Sequence, residues 1–114
     1  MPSAPHRQLL AALSTFIPKD RLVTDPLRLL TWGTDASFYR LLPQLIVVVD
    51  TEAELVRLLA LCREHGTPLT FRAAGTSLSG QAISDSVLAM LGDGWRGCRV
   101  GEGGWTISLQ PGVI

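Results

Sequence analysis

The sequence predicts an α+β domain, in which N-terminal helices precede a parallel β-α-β unit with a third strand and an antiparallel β subdomain then begins. Two observations lead to this prediction. An apolar, β-branched run at 45–49 is followed by a helix pattern and by a second extended run at 67–71. Beyond Leu91 the chain changes character, because seven of its 11 glycines lie there between short extended segments.

Residues 1–43 are predicted to form two helices and a loop. The first helix begins at Ser3 and ends before Pro18, and its apolar face comprises Leu9, Leu10, Leu13, Phe16 and Ile17. The second begins after Asp25 and is expected to pack three leucines inward, namely Leu27, Leu29 and Leu30. Residues 34–40 show no period, so we interpret them as an ordered wrap around the first strand.

Residues 44–91 contain the β-α-β pattern. The run at 45–49 is continuously apolar, as expected of a parallel strand covered on both faces. Thr51 and Glu54 fit a capping box, and apolar residues then recur at helical spacing as far as Gly66. The strand at 67–71 should follow through a right-handed crossover, and residues 87–91 form the third strand.

Residues 92–114 are predicted to start an antiparallel subdomain. A weak strand at 98–100 and an alternating, half-buried strand at 105–110 flank a glycine-rich turn. The sequence stops at Ile114 without a closing helix, which leaves a sheet edge that would need pairing. We therefore expect the chain to be the N-terminal portion of a larger protein.

Composition narrows the functional classes. The 10 basic and 10 acidic side chains leave no net charge, which argues against nucleic acid as a partner. The longest apolar run is far shorter than the roughly 20 residues needed to span a bilayer, and no secretory signal is visible, so a cytoplasmic location is expected. We interpret Cys62 and Cys98 as buried hydrophobes. Cys62 and His65 could present two metal ligands, but a helix-end role is favoured and no metal site is predicted.

The segment 72–82 has the composition of a loop that wraps an anion. It lacks acidic residues, and its glycines and hydroxyl side chains could surround a phosphate with backbone N–H groups. The alternative is an ordinary Gly/Ser surface turn. Its position at the carboxyl end of a predicted parallel strand favours the ligand site.

Three familiar motifs are excluded for this loop. It has neither a Gly-Lys-Ser/Thr ending nor a Gly-x-Gly-x-x-Gly spacing, so a P-loop and a Rossmann turn are unsupported. The spacing from Gly75 through Ser77 to Gly80 is too long for a nucleophile elbow, and neither histidine has a reason to lie beside Ser77. A serine hydrolase is therefore disfavoured.

Four segments, in order, carry a family resemblance: 34–40, Pro43 with the strand at 47–49, 71–82, and Gln110-Pro111-Gly112-Val113. With them the chain resembles the start of the flavin-binding domain of the vanillyl-alcohol oxidase and p-cresol methylhydroxylase superfamily. More narrowly it is similar to the D-lactate dehydrogenase and glycolate oxidase D-subunit branch. The resemblance covers residues from about 20 to the end.

The resemblance implies FAD as the cofactor, with its diphosphate on the 72–82 loop. The implied cofactor-binding residues are Arg72, Ala73, Ala74, Gly75, Thr76, Ser77, Leu78, Gly80, Gln81, Ala82, Pro111, Gly112 and Val113. Some relatives carry a flavin-linked histidine where this chain has Thr76, so non-covalent FAD is expected. Alanines replace two glycines of the family loop, which makes a positive φ doubtful at Ala73 and Ala74. Arg72 either anchors the loop or reaches a phosphate.

The resemblance also implies a function and partners. The expected activity is that of an FAD-dependent 2-hydroxy-acid dehydrogenase acting on D-lactate or glycolate, with no catalytic residue in this chain. The expected partners are a small 2-hydroxy acid and the remainder of the chain or a C-terminal substrate domain, in the cytoplasm or peripheral to the inner membrane. Two alternatives stay open: a non-catalytic protein-association module and a flavin reductase of the same fold. The match at 34–40 argues against the reductase.

Overall fold

The computed structural model describes residues 2–114. The helices are α1 (Ala4–Leu13), α2 (Pro26–Thr31) and α3 (Glu52–His65). The strands are β1 (Leu22–Val23), β2 (Leu45–Val49), β3 (Leu69–Arg72), β4 (Val87–Leu91), β5 (Cys98–Val100) and β6 (Ile107–Leu109). The predicted α+β class is confirmed, with helices followed by a mixed sheet and then by a separate antiparallel pair.

The main sheet has the strand order β1-β2-β4-β3. Strands β2 and β3 are both parallel to β4, which lies between them, so the third predicted strand is inserted into the β-α-β unit. Strand β1 pairs antiparallel with β2 and was not predicted, because two residues are too short to show a period. The carboxyl ends of β2, β3 and β4 therefore meet at one edge of the sheet.

Both faces of the central strands are covered. On one face α1 and α3 pack against β2 and β4 in a cluster that includes Leu9, Leu58, Val47 and Val87. On the other face a smaller cluster is built from Val23, Ile46 and Leu88, with Leu29 and Trp32 packed against it. This explains why the 45–49 run is apolar at every position, as the sequence predicted.

Helix α3 has the predicted bounds. The Thr51 hydroxyl accepts from the N–H of Glu54 at 3.2 Å, and Gly66 ends the helix in the left-handed conformation at φ 63°. The Glu54 carboxylate accepts from the N–H of Asp50 at 2.9 Å and from both terminal nitrogens of Arg21 at 2.8 Å. Glu54 thus links the end of β2, through Asp50, to the segment before β1, through Arg21.

Two helix predictions need correction. Helix α1 ends at Leu13 rather than near Pro18, because the Ser14 and Thr15 hydroxyls donate to the carbonyls of Leu10 and Ala12 and turn the chain. In α2 only one leucine packs inward as expected, since Leu27 is 74% exposed and Leu30 is 42% exposed. The spacing explains the difference, because Leu27 and Leu30 share one face of the helix whereas Leu29 lies on the opposite face.

Strands β5 and β6 form the predicted hairpin, with Cys98 opposite Leu109 and Val100 opposite Ile107. The expectation of a half-buried strand is wrong here, because every residue of both strands is exposed. The prediction of a buried Cys98 fails for the same reason, whereas Cys62 is buried. Nothing among residues 2–114 packs over this hairpin to cover its apolar side chains.

The interpretation of residues 34–40 also changes. They form an ordered turn, closed by a bridge between Thr34 and Arg40, but it packs against the 72–82 loop and not around the first strand. Within residues 2–114, no helix has both the length and the apolar character needed to cross a membrane.

Candidate FAD-binding site

The 72–82 loop leaves the carboxyl end of β3, beside β4. Gly75 and Gly80 adopt positive φ angles of 70° and 75°, which the loop needs in order to reverse direction without a side-chain clash. No other residue type among positions 2–114 has a positive φ, so Ala73 and Ala74 keep ordinary backbone angles, as expected from their side chains.

Most backbone N–H groups of the loop are unpaired. Those of residues 73–78 and of Gly80 donate no hydrogen bond to any other part of the chain that the structure describes. The N–H groups of Ser79 and Gln81 both donate to the Ser77 hydroxyl at 3.2 Å. The N–H of Ala82 donates to the Asp35 carboxylate at 3.3 Å. The loop is therefore held by Ser77 and Asp35 while its first half keeps free donors.

Arg72 lies inside the loop and is only 7% exposed. Its Nη1 donates to the carbonyls of Thr34 at 2.8 Å and Ala82 at 3.2 Å, and its guanidinium lies 5.1 Å from the centre of the Trp32 ring. A Cβ added to Gly75 would lie 2.2 Å from Nη2, so the guanidinium is packed directly against that glycine. Arg72 thus anchors both the 34–40 turn and the end of the loop.

The Arg72 guanidinium also places a buried positive charge beneath the loop. Its Nε is buried and has no hydrogen-bond partner among the described residues. Burial lowers the pKa of Arg72, and the charge of Asp35 opposes this effect. Asp35 itself is engaged elsewhere, since hydrogen bonds from Ser37 and from the N–H of Ala82 lower the pKa of its carboxyl. A buried cation without a direct carboxylate partner favours an anion nearby.

The 34–40 turn supports the loop from one side. Asp35 accepts from both the N–H and the hydroxyl of Ser37, and the Ser37 hydroxyl accepts from the N–H of Tyr39 at 3.1 Å. The Tyr39 ring packs against Gly80, where an added Cβ would lie 2.9 Å from the ring. This agrees with the structural role that the sequence predicts for Asp35, Ser37 and Tyr39.

The C-terminal turn reaches the loop from the other side. A pocket of about 160 Å³ is lined by Ala73, Ala74, Leu91, Gly92, Arg96, Pro111, Gly112, Val113 and Ile114. The turn is fixed there because the N–H of Gly112 donates to the Trp95 carbonyl at 2.8 Å. The indole N–H of Trp95 in turn donates to the Val49 carbonyl at the end of β2, at 3.0 Å.

The predicted site residues therefore fall into groups. Five line the pocket just described: Ala73, Ala74, Pro111, Gly112 and Val113. Gly80 lies at a second opening of about 320 Å³, beside Tyr39 and Ile83. Thr76, Leu78 and Gln81 are exposed. Arg72 and Ala82 are buried and already hydrogen-bonded within the loop.

Sequence reasoning missed four residues of this pocket: Leu91, Gly92, Arg96 and Ile114. Arg96 is the only one of them that is charged. Nothing in the local sequence marks it, since its place depends on how residues 95–97 pair with residues 110–112. No group of three or more His, Cys, Asp or Glu side chains within residues 2–114 is arranged to hold a metal ion.

A protein family described as "FAD binding domain" matches residues 43–114, which include the loop, the C-terminal turn and the sheet edge between them. The chain belongs to this FAD-binding domain family. No curated protein sequence gives a significant match.

Solved structures share the fold of this FAD-binding domain. An alkyldihydroxyacetonephosphate synthase aligns with a TM-score of 0.78 and 19% identity over 99% of this chain and 24% of its own. A p-cresol methylhydroxylase with bound substrate aligns with a TM-score of 0.82 and 13% identity over 98% of this chain and 23% of its own. A Physcomitrella patens protein, "BBE-like 1", aligns with a TM-score of 0.57 and 18% identity over 82% of this chain and 21% of its own.

These alignments show that the chain has the fold that the sequence predicted. The FAD-binding domain described here spans about a quarter of the length of the first two solved chains, at 24% and 23%. Its cofactor is FAD. The unpaired amides of the loop and the orphaned Nε of Arg72 fit a ligand that carries phosphate groups.

Proposed function

We propose that this chain forms the FAD-binding part of a flavin-dependent oxidoreductase that oxidises a small 2-hydroxy acid, either D-lactate or glycolate. The observation that carries the proposal is the run of unpaired backbone N–H groups at 73–78 and Gly80, beside the buried guanidinium of Arg72. A run of donors beside a cation at the carboxyl ends of parallel strands is suited to a diphosphate.

The donors are sufficient in number and kind. Each N–H bond to a charged oxygen contributes about 1.5–3 kcal/mol, so several of them hold a diphosphate without a lysine. We propose Ala73, Ala74, Gly75, Thr76 and Ser77 as the main backbone donors. The hydroxyl of Ser77 has a different role, because it already accepts from the N–H groups of Ser79 and Gln81 and so shapes the loop.

The cofactor is proposed to bind without a covalent link. Thr76 occupies the position where some relatives carry a flavin-linked histidine, and a threonine hydroxyl is a weak nucleophile without an adjacent base. The two histidines lie elsewhere. His6 is buried between the hydroxyls of Ser3 at 2.6 Å and Ser86 at 2.7 Å, and His65 ends α3. Denaturation should therefore release all of the FAD, which should pass through a filter that retains the protein.

The hydroxy-acid substrate rests on the resemblance of the 34–40 and 71–82 segments to one branch of the superfamily. The fold does not decide this question, because one fold supports different chemistries. When bound, the flavin supplies the redox chemistry, and this chain's residues bind and orient it. We propose that substrate and catalytic residues come from the remainder of the polypeptide or from a C-terminal substrate domain.

Two measurements test the proposal. The first is titration of the full-length polypeptide that contains this domain with FAD, followed by flavin absorbance and fluorescence, which should show saturable binding. The second is anaerobic addition of D-lactate or glycolate to that FAD-loaded polypeptide, with L-lactate as the control. D-lactate or glycolate should bleach the flavin absorption, while L-lactate leaves it unchanged. FAD binding without bleaching by D-lactate or glycolate would refute the proposed substrate and leave the cofactor assignment standing.

A second candidate function is that of a non-catalytic association module. It is favoured by one observation, the exposed apolar face of the β5–β6 hairpin, which includes Val100, Ile107 and Leu109. An isolated two-stranded hairpin is only marginally stable in water, so further strands or a packed partner would stabilise it. Absence of a flavin spectrum at saturating FAD, together with self-association or capture of a partner, would support this candidate over the oxidoreductase.

A further inference from the structure

Arg96 is the only charged side chain that lines the pocket between the anion-binding loop and the C-terminal turn. The same pocket is lined by Ala73 and Ala74, whose N–H groups are among the unpaired donors of the loop. Arg96 also lines the neighbouring opening together with Gly112, Val113 and Ile114. The pocket is therefore lined both by residues with neutral amide donors and by a cationic side chain.

The backbone around Arg96 is fixed on both sides. The carbonyl of Trp95 accepts from the N–H of Gly112 at 2.8 Å, and the carbonyl of Gly97 accepts from the N–H of Gln110 at 2.9 Å. The N–H of Gly97 donates to the side-chain oxygen of Gln110 at 2.7 Å. These bonds hold Arg96 against the turn that forms the pocket wall, although it lies in a loop.

The side chain itself remains available. Its single ion pair is with Asp93 at 2.9 Å, three residues earlier, and both side chains are largely exposed, at 70% and 91%. Exposed pairs of this kind are weak, because water screens them and ordering two long side chains costs entropy. A doubly charged anion beside the loop would compete well for the guanidinium, which can bond phosphate oxygens with two parallel N–H groups.

We propose that Arg96 is a further cofactor-binding residue, which donates to the diphosphate of FAD in the pocket that it lines together with Ala73 and Ala74. This inference rests on the proposed FAD site. Asp93 then acts as an intramolecular competitor that holds the guanidinium while the pocket is empty.

The test measures dissociation constants of the full-length polypeptide that contains this domain for FAD, for ADP and for riboflavin, at low and at high salt. Arg96→Gln should raise the dissociation constants for FAD and ADP about tenfold at low salt. The loss of one charge-assisted hydrogen bond corresponds to about one power of ten in affinity. Riboflavin, which lacks phosphate, should be unaffected. The dissociation constants of Arg96→Lys for FAD and ADP should lie between those of wild type and Arg96→Gln, because lysine keeps the charge but cannot donate two parallel N–H bonds.

Two further variants sharpen the result. Asp93→Asn removes the competing carboxylate and should lower the dissociation constants for FAD and ADP about twofold. Arg99→Gln is the matched control, since Arg99 lies in β5 opposite Ser108 and does not line the pocket. It should leave both constants within about twofold of wild type, as expected of an exposed charge.

The outcomes separate this inference from the proposed function. If the wild-type protein bound FAD and ADP and Arg96→Gln bound them equally well, Arg96 would not be a ligand. Weakening of riboflavin together with FAD would place the guanidinium at the flavin ring and would also overturn the inference. Failure of the wild-type protein to bind either FAD or ADP would refute the proposed function itself.

Discussion

The four-stranded sheet and the β5–β6 hairpin contain similar residues but differ completely in burial. Val47, Val49 and Val87 in the sheet are fully buried. Val100 and Ile107, in the hairpin, are 63% and 58% exposed. The difference arises because α1 and α3 cover the sheet, while nothing in residues 2–114 covers the hairpin. Apolar pattern therefore predicts a strand, whereas burial depends on what packs against it.

The candidate cofactor site lies where these two regions meet. The sheet supplies the anion-binding loop at the end of β3, and the segment beyond β4 supplies Arg96 and the turn at 111–113. Trp95 joins them through its bond to the Val49 carbonyl. Four comparisons of equivalent residues in the two regions test this division, starting with the largest expected effect.

Leucine truncation should separate the regions most clearly. Leu58→Ala removes a fully buried side chain from the main core and should lower the free energy of unfolding by about 2–5 kcal/mol. Leu109→Ala, at a half-exposed hairpin position, should lower it by less than about 1 kcal/mol. Urea denaturation followed by circular dichroism measures both. Equal losses would mean that the hairpin belongs to the same cooperative core.

The second comparison is between two arginine ion pairs, which should contribute differently to the free energy of unfolding. Arg21 bonds the Glu54 carboxylate through two nitrogens in a partly buried setting, so Arg21→Gln should cost about 1.5–3 kcal/mol. Arg96→Gln breaks an exposed pair and should cost less than about 1 kcal/mol. Urea denaturation of each variant at neutral pH measures both losses in the free energy of unfolding.

The first pair should also depend on pH. The hydrogen bond from Arg21 lowers the pKa of Glu54 below its usual 4.5. A lowered carboxyl pKa means that the stabilisation is complete above pH 4.5 and is lost as the pH falls through the lower folded value. The stability gap between wild type and Arg21→Gln should therefore shrink in acid. A gap that stayed constant down to about pH 2 would contradict the charge-based explanation.

Two left-handed glycines provide the third comparison. Gly75 has φ 70° and its missing Cβ would lie 2.2 Å from Arg72, whereas Gly104 has φ 74° and open space around it. Gly104→Ala should cost about 1–2 kcal/mol, from backbone strain alone. Gly75→Ala should cost more than Gly104→Ala and should also weaken FAD binding, because the Arg72 guanidinium must move. Identical behaviour of the two variants would show that Arg72 does not support the loop.

The smallest effect concerns the two thiols. Cys62 is buried, and burial raises the pKa of its thiol, while Cys98 is exposed on the hairpin. Iodoacetamide should modify Cys98 in the native protein and reach Cys62 only on unfolding, because the thiolate is the reactive form. Peptide mass spectrometry identifies the modified residue. Native-state labelling of Cys62 would show that the core opens readily.

Several elements could be read from the sequence because their signals are local. Thr51, Gly66 and the helical spacing between them gave the bounds of α3, and the apolar run gave those of β2. The ordinary φ of Ala73 and Ala74 was also predictable, since a Cβ disfavours the left-handed region. Short or packing-dependent features were missed, including β1, the early end of α1 and the exposure of Leu27, Leu30 and Cys98.

The sequence by itself determined the longer helix and strand segments, such as α3 and β2, and which loop could offer amide donors to an anion. These properties depend on side-chain period, capping and glycine placement within a few neighbouring residues. Only the tertiary structure decided that Arg72 is buried beneath Gly75 and that Arg96 lines the same pocket as Ala73 and Ala74. Such contacts depend on packing between residues far apart in the chain, where no local pattern records the partner.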